Sequence, residues 1–154
     1  MSTDTNGRSA SEYVTVTIGG HLFGLPILRV QDVFTPEHAT RVPLAPPEIT
    51  GVLNLRGRIV TLIDMRHRLG LPPRADDVPP MAIGVESRGE FYGLLIDGVG
   101  EVLSLDDAAR EANPINLDAR LTRLSAGIHR LDGQLLMLLD VERVLDLGAP
   151  KAAA

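Results

Sequence analysis

The chain has 154 residues, a formal net charge of −5, and is 44% apolar and 23% charged. That supports one ordinary domain or two very small ones, in a globular chain that buries roughly 70% of its unfolded surface. Cysteine is absent, which excludes disulfides, thiol catalysis and thiolate metal sites. Aromatics at 3% imply an aliphatic core and almost no stacking platform for single-stranded nucleic acid, and the acidic balance argues against a phosphate-backbone binder. No apolar run reaches the length of a membrane span and Met1–Ser11 has no signal-peptide apolar stretch, so a cytoplasmic protein is expected.

In chain order, residues 1–11 read as a flexible polar tail. From Tyr13 to Ile18 apolar and polar residues alternate, which predicts a strand with Val14, Val16 and Ile18 on one face. Gly19-Gly20 then supplies the positive φ of a tight hairpin, and His21–Leu25 returns. A second hairpin is predicted over Met81–Glu86 and Glu90–Ile96, with a turn at Ser87–Gly89. Proline-rich stretches punctuate the middle, at Pro43–Pro47 and Leu71–Pro80, the second being the best candidate for a crossover between two halves. Asp106–Ala112 is compatible with a short helix ending before Asn113-Pro114. Residues 148–154 read as a second flexible tail. Many short strands with Gly/Pro turns predict an all-β fold with short helices.

The two halves resemble each other. His21–Phe34 set over Glu90–Leu103 shares an aromatic-Gly-Leu-x-Ile-x-x-Val-x-acid-Val pattern, and Leu53–Leu69 set over His129–Leu145 retains a Gly, a Leu-aliphatic-Asp and a final Leu. Two matches in the same order indicate a duplicated unit, and their offset of about 70 residues fits two pseudo-equivalent subdomains better than a solenoid. Asp64 and Asp140 each end an apolar strand and precede a helix-like stretch, where a carboxylate accepts the orphan N–H groups of the next turn. Gly57 and Gly133 fall at hairpin turns.

Chemistry-bearing motifs are scarce. His21, His38, His67 and His129 have no metal-ligand spacing and read as exposed or half-buried strand residues, so neither metal nor cofactor is expected. Asp76-Asp77 and Asp106-Asp107 read as solvated charge. Gly98-Val99-Gly100 lacks the frame of a dinucleotide fingerprint, and no phosphate-binding loop or nucleophile elbow occurs, so no catalytic residue is assigned. One feature stands apart: Arg56, Arg58, Arg66, His67 and Arg68 crowd one short window of an acidic chain. Strand alternation would put Arg56 and Arg58 on one face. The window is either a solvated basic face or an anchor for a partner's carboxylates or carbonyls, and a small-barrel nucleic-acid binder using it is the alternative function. The matching positions in the second half are Asp132, Gln134, Glu142 and Arg143, so the basic character is not part of the shared plan.

The blocks "FGLPILRVQDV", "TRVP", Gly51–Asp64 (GVLNLRGRIVTLID), "DGVGEVLSL" (Asp97–Leu105) and "LDGQLLMLLDVERVL" resemble the CheW-like family of bacterial chemotaxis coupling proteins, over about residues 12–147. The resemblance implies a single domain of two small five-stranded SH3-like barrels, divided at approximately 12–75 and 80–147, with the reservation that C-terminal residues can pack back on the first. It implies a non-enzymatic adaptor that joins the cytoplasmic tip of chemoreceptors (methyl-accepting chemotaxis proteins) to the regulatory domain of the histidine kinase CheA, at receptor arrays, with no nucleic acid and no membrane insertion. By match to the family's motifs, receptor binding falls to Val30, Asp32, Arg56, Gly57, Val99 and Val102, with Asp32 where the family often has Glu. Kinase binding falls to Val42, Leu44, Arg110, Ile115 and Asn116.

Overall fold

The computed structural model describes residues 2–3, 9–75 and 77–147. Eleven strands and three short helices follow in the order β1 (Ser2–Thr3), β2 (Ser9–Ile18), β3 (His21–Pro26), β4 (Val30–Phe34), β5 (Ile49–Leu55), β6 (Arg58–Asp64), α1 (Met65–Leu69), β7 (Met81–Ser87), β8 (Glu90–Ile96), β9 (Gly98–Asp106), α2 (Ala119–Leu124), β10 (Ser125–Leu131), β11 (Gln134–Leu139) and α3 (Val141–Leu145). Both expected hairpins form, and β2 begins at Ser9, so residues 9–11 belong to a strand rather than a tail. The tail expected at 148–154 lies outside the described residues, as does Asp76. Only a 3-10 turn, Asp107–Ala109, forms where a helix over 106–112 was compatible. The helix α2 was not anticipated, although Asp118 caps it and its two leucines, Leu121 and Leu124, are spaced for one face.

The strands form two sheets, each the wall of an SH3-like barrel. In the first the order is β9-β2-β3-β11-β10, with β1 also on β2, and in the second it is β4-β7-β8-β6-β5. The barrels therefore do not divide at 75/80. After the hairpin β2–β3 the chain crosses over, and β4 pairs antiparallel with β7. After the hairpin β7–β8 it crosses back, and β9 pairs with β2. Each barrel takes one hairpin from one sequence repeat, and a crossing strand and second hairpin from the other. The duplication is real, but its copies are interleaved. Sequence similarity marks the copies, whereas the barrels are set by which edge each crossing strand finds.

Interleaving explains why these strands are apolar on both faces. One face lines its own barrel: Tyr13, Leu136 and Leu138 in the first, Leu53, Val60 and Leu62 in the second. The other face enters a larger cluster shared by both sheets, in which Val16, Ile18, Phe23 and Leu25 meet Ile63, Ile83, Leu94 and Ile96, with Met65, Leu124 and Val144 from the helices. Gly24 and Gly93, the glycines of the first repeat block, sit on the parallel pairs β3–β11 and β8–β6. A β-carbon on Gly93 would lie 2.9 Å from Leu62 Cδ2 and 3.0 Å from Phe34 Cζ. The retained aspartates behave as expected: Asp64 accepts from the His67 N–H and Asp140 from the Arg143 N–H, capping α1 and α3.

Two polar clamps of opposite sign link the barrels. Arg66 of α1 donates Nε and Nη2 to Asp97, between β8 and β9, at 3.2 and 2.6 Å, and Asp97 also accepts from the Gly19 N–H of the first hairpin turn. At the equivalent place Glu142 of α3 accepts from Arg29, between β3 and β4, at 2.6 Å, and from the Ser87 hydroxyl. His129 corrects an expectation: it is 3% exposed, on β10 beside the Tyr13 ring, where the other repeat has Leu53. Asp106 and Asp107 are half-buried rather than solvated, the first capping the 3-10 turn and the second accepting from the Ser11 hydroxyl.

Candidate functional site

The motif Asn54-Leu55-Arg56-Gly57 forms the tip of the β5–β6 hairpin. Asn54 Oδ1 accepts the Gly57 N–H at 2.9 Å, closing the turn. Arg56 and Gly57 have φ of 54° and 86°, so both central positions are left-handed, as a two-residue turn on twisted strands requires. Arg56 is thus a turn residue and not a strand neighbour of Arg58. Holding a non-glycine residue there costs about 1–2 kcal/mol. The tip lifts the arginine out, with its side chain 73% exposed.

Arg56 reaches across the open side of the second barrel. β4 and β5 are the ends of the sheet order, with no ladder between them. Arg56 Nη1 meets Asp32 Oδ2 of β4 at 2.7 Å, so a side-chain ion pair spans the gap that backbone hydrogen bonds leave. The shorter Asp32 carboxylate closes this contact without the extra methylene of Glu. Beneath the pair lies a cavity of about 230 Å³ lined by Phe34, Leu55, Val60, Phe91 and Tyr92, with Arg58 stacked over Phe91 at 4.5 Å. An apolar floor under a charged, partly exposed rim suits a partner's apolar side chain held by polar contacts. By the repeat alignment, Glu101 and Asp132 stand where Asp32 and Arg56 stand, two acids that cannot pair. Among the described residues the first barrel has no such latch at these positions.

The structure brings Asp32, Arg56 and Gly57 together. Val30, in register with Val85, is half-buried against the shared core, so part of it serves packing. Val99 and Val102 lie on the other sheet, on β9 opposite Val16 and Val14, and are 36% and 48% exposed, so neither is core. The basic window is not one face. Arg66 is spent on Asp97 and on the Pro72 and Pro73 carbonyls, while Arg68 is 9% exposed and donates to the carbonyls of Arg143, Val144 and Asp146 at the end of α3. That removes the surface on which a nucleic-acid reading would rest.

The second set of site residues occupies two equivalent loops. Thr40 forms a reciprocal backbone bridge with Val52 of β5, and Glu111 forms one with Ile128 of β10. In each case the preceding glycine admits the loop: a β-carbon on Gly51 would lie 2.6 Å from the Thr40 carbonyl oxygen, and one on Gly127 would lie 3.0 Å from that of Glu111. Four residues beyond each bridge stands a fully exposed aliphatic side chain, Leu44 at 104% and Ile115 at 105% relative exposure. Leu44 has φ of 64°, a further strained backbone. Val42 is 40% exposed, and Arg110 and Asn116 are exposed beside Ile115. Gly51 and Gly127 stand two residues upstream of the aligned Leu53 and His129, so the repeat pairs them, but the reason for the glycine lies in backbone approaching from another element.

Twinned barrels with an ion-paired apolar mouth and matched aliphatic loops define a docking protein. A family model described as CheW-like domain matches residues 12–148. The chain is 31% identical over 134 residues to the chemotaxis protein CheW of Klebsiella aerogenes, covering 87% of this chain and 81% of that protein. It is 25% identical to the Bacillus subtilis chemotaxis protein CheW, over 95% of this chain and 94% of that one. The crystal structure of the scaffolding protein TtCheW from Thermoanaerobacter tengcongensis superposes with a TM-score of 0.79 at 28% identity, covering 90% and 94% of the two chains. The chain belongs to the CheW-like family, whose members are non-catalytic chemotaxis scaffold proteins.

Proposed function

We propose that this protein couples the cytoplasmic tip of chemoreceptors to the regulatory domain of a CheA-type histidine kinase, in the cytoplasm at receptor arrays. The observation that carries the reading is the separation of two kinds of docking surface on one scaffold: the Asp32–Arg56 mouth, and the paired Leu44 and Ile115 loops. An adaptor needs one surface for each partner, and these differ in chemistry. The mouth offers an apolar pocket with a charged rim, with Val30, Gly57, Val99 and Val102 assigned to the same receptor contact. The loops offer exposed aliphatics, Val42 included, flanked by Arg110 and Asn116, suited to a partner's apolar patch.

Arg56→Glu sets two acids against each other at the mouth and leaves the fold, because residue 56 is exposed at a turn. Purified variant and wild type are compared in a pull-down with a receptor cytoplasmic fragment and with the kinase regulatory domain. Receptor retention falls and kinase retention stays. Unchanged receptor retention removes the mouth from the receptor site, and loss of both together points to misfolding, which a circular dichroism spectrum reads directly.

A further inference from the structure

α1 and α2 pack against each other from distant parts of the chain. Between them His67 and Arg68 of α1, Arg120 and Arg123 of α2, and the half-buried Glu48 line a cleft of about 160 Å³. Three guanidiniums thus share one carboxylate lining the cleft. Arg68 is 9% exposed, with Nε and Nη2 held by the α3 carbonyls. Arg120 and Arg123 are exposed, and among the described residues neither guanidinium has a hydrogen-bond or ion-pair partner. Arg120 lies across the left-handed Gly70 cap of α1, where a β-carbon would come within 2.8 Å of its Cδ, so that glycine makes room for it.

The repeat plan does not dictate this charge. Where the second repeat has Val144, fully buried in the core, the first has Arg68. Burial pushes the Arg68 guanidinium below its usual range and Arg123 adds to the push, while Glu48 and Asp146 oppose it. A like charge beside a buried cation is a cost that a bound anion would reverse. The whole chain is acidic, which makes the concentration of arginines here the more specific.

We propose that this cleft binds a phosphoryl-type oxyanion, held by the forks of Arg120 and Arg123 with Arg68 as the fixed charge behind them. Planar guanidiniums match the paired oxygens of a phosphoryl group, and His67 at the rim adds a ring N–H donor. The site is a single-anion cleft that shares no lining residue with the Asp32–Arg56 mouth or with the exposed Leu44 and Ile115, and a test of it does not depend on receptor or kinase.

The full-length chain is titrated by calorimetry and by thermal shift with inorganic phosphate and, separately, with glycerol phosphate, chloride being adjusted to fixed ionic strength. Saturable one-site binding with a rise in Tm is expected. Binding of the free anion alone assigns free phosphate as the source, and equal or tighter binding of the ester assigns a phosphate monoester. Arg120→Gln with Arg123→Gln weakens binding by at least about tenfold, and Arg88→Asn, at a distant turn, leaves it unchanged. Arg123→Gln alone loses most of the phosphate-dependent rise in Tm. No saturable binding up to about 20 mM phosphate, or binding that survives the double substitution, overturns the proposal.

Discussion

Replacing Asp97 by Asn tests whether the inter-barrel clamp holds the two sheets together. Both side chains of the Arg66–Asp97 pair are largely buried, at 16% and 18% exposure, and the pair is bidentate. Asn keeps the shape and one acceptor for the Gly19 N–H but removes the charge that Arg66 faces. A hydrogen bond to a charged group is worth about 1.5–3 kcal/mol, and a fully buried broken pair about 3–5, so a pair with this residual exposure loses about 2 kcal/mol. In a chain of this size that lowers Tm by about 4–8 °C. Burial alone would raise the Asp97 carboxyl, but the Arg66 guanidinium and the Gly19 N–H outweigh it and hold the group below its usual range. Its stabilisation is therefore present above the ordinary carboxylate pKa and lost as pH falls through the lower folded value, so wild type and Asp97→Asn converge in acid. The assay is thermal unfolding by circular dichroism at pH 7 and in acid, completed as a double-mutant cycle with Arg66→Met. Additivity of the two substitutions within about 0.5 kcal/mol refutes the clamp.

Other outcomes follow from the same geometry. His129 is held neutral by burial first and by Arg110 second, against Asp107, Asp106 and Glu111, so its folded pKa lies below the ordinary 6.5. The unfolded chain then takes up the proton first and stability falls as pH drops below about 6.5. His129→Leu, the residue of the other repeat, flattens that part of a Tm-against-pH curve, and an unchanged slope there rejects the assignment. Gly51→Ala places a β-carbon against a backbone carbonyl that cannot rotate away; about 1–3 kcal/mol is lost in urea unfolding, and amide exchange at Thr40 and Val52 accelerates. Leu44→Ser with Ile115→Ser leaves stability within about 0.5 kcal/mol, because both side chains are already in water. The same double variant loses kinase retention in the pull-down, and full retention excludes these loops from the kinase contact.

Much of the local architecture was legible in the residues. Gly19-Gly20 announced a turn because only a chain free to take positive φ closes a two-residue hairpin. Asp64 and Asp140 announced helix starts because a carboxylate satisfies the N–H groups that a helix leaves open. The duplicated blocks marked two copies of one unit, and scarce catalytic motifs with a resemblance in the NLRG block pointed to a docking protein. These signals act over a few residues, so the chain order that carries them survives in the fold.

What the sequence determined alone, then, is the inventory: the hairpins, their turns, the two short helices capped by Asp64 and Asp140 and the duplication, each fixed by chemistry between near neighbours. Tertiary structure decided the assembly. The crossing strands β4 and β9 exchange partners, so barrels form between repeats instead of within them. The arginines of one short window part ways, with Arg56 lifted by a left-handed turn to Asp32, Arg66 turned to Asp97, and Arg68 laid under the end of α3. Leu44 and Ile115 became equivalent only when their loops met Val52 and Ile128. In every case the partner lies at least 12 residues away, and no periodicity along the chain encodes which edge, carboxylate or carbonyl will be there.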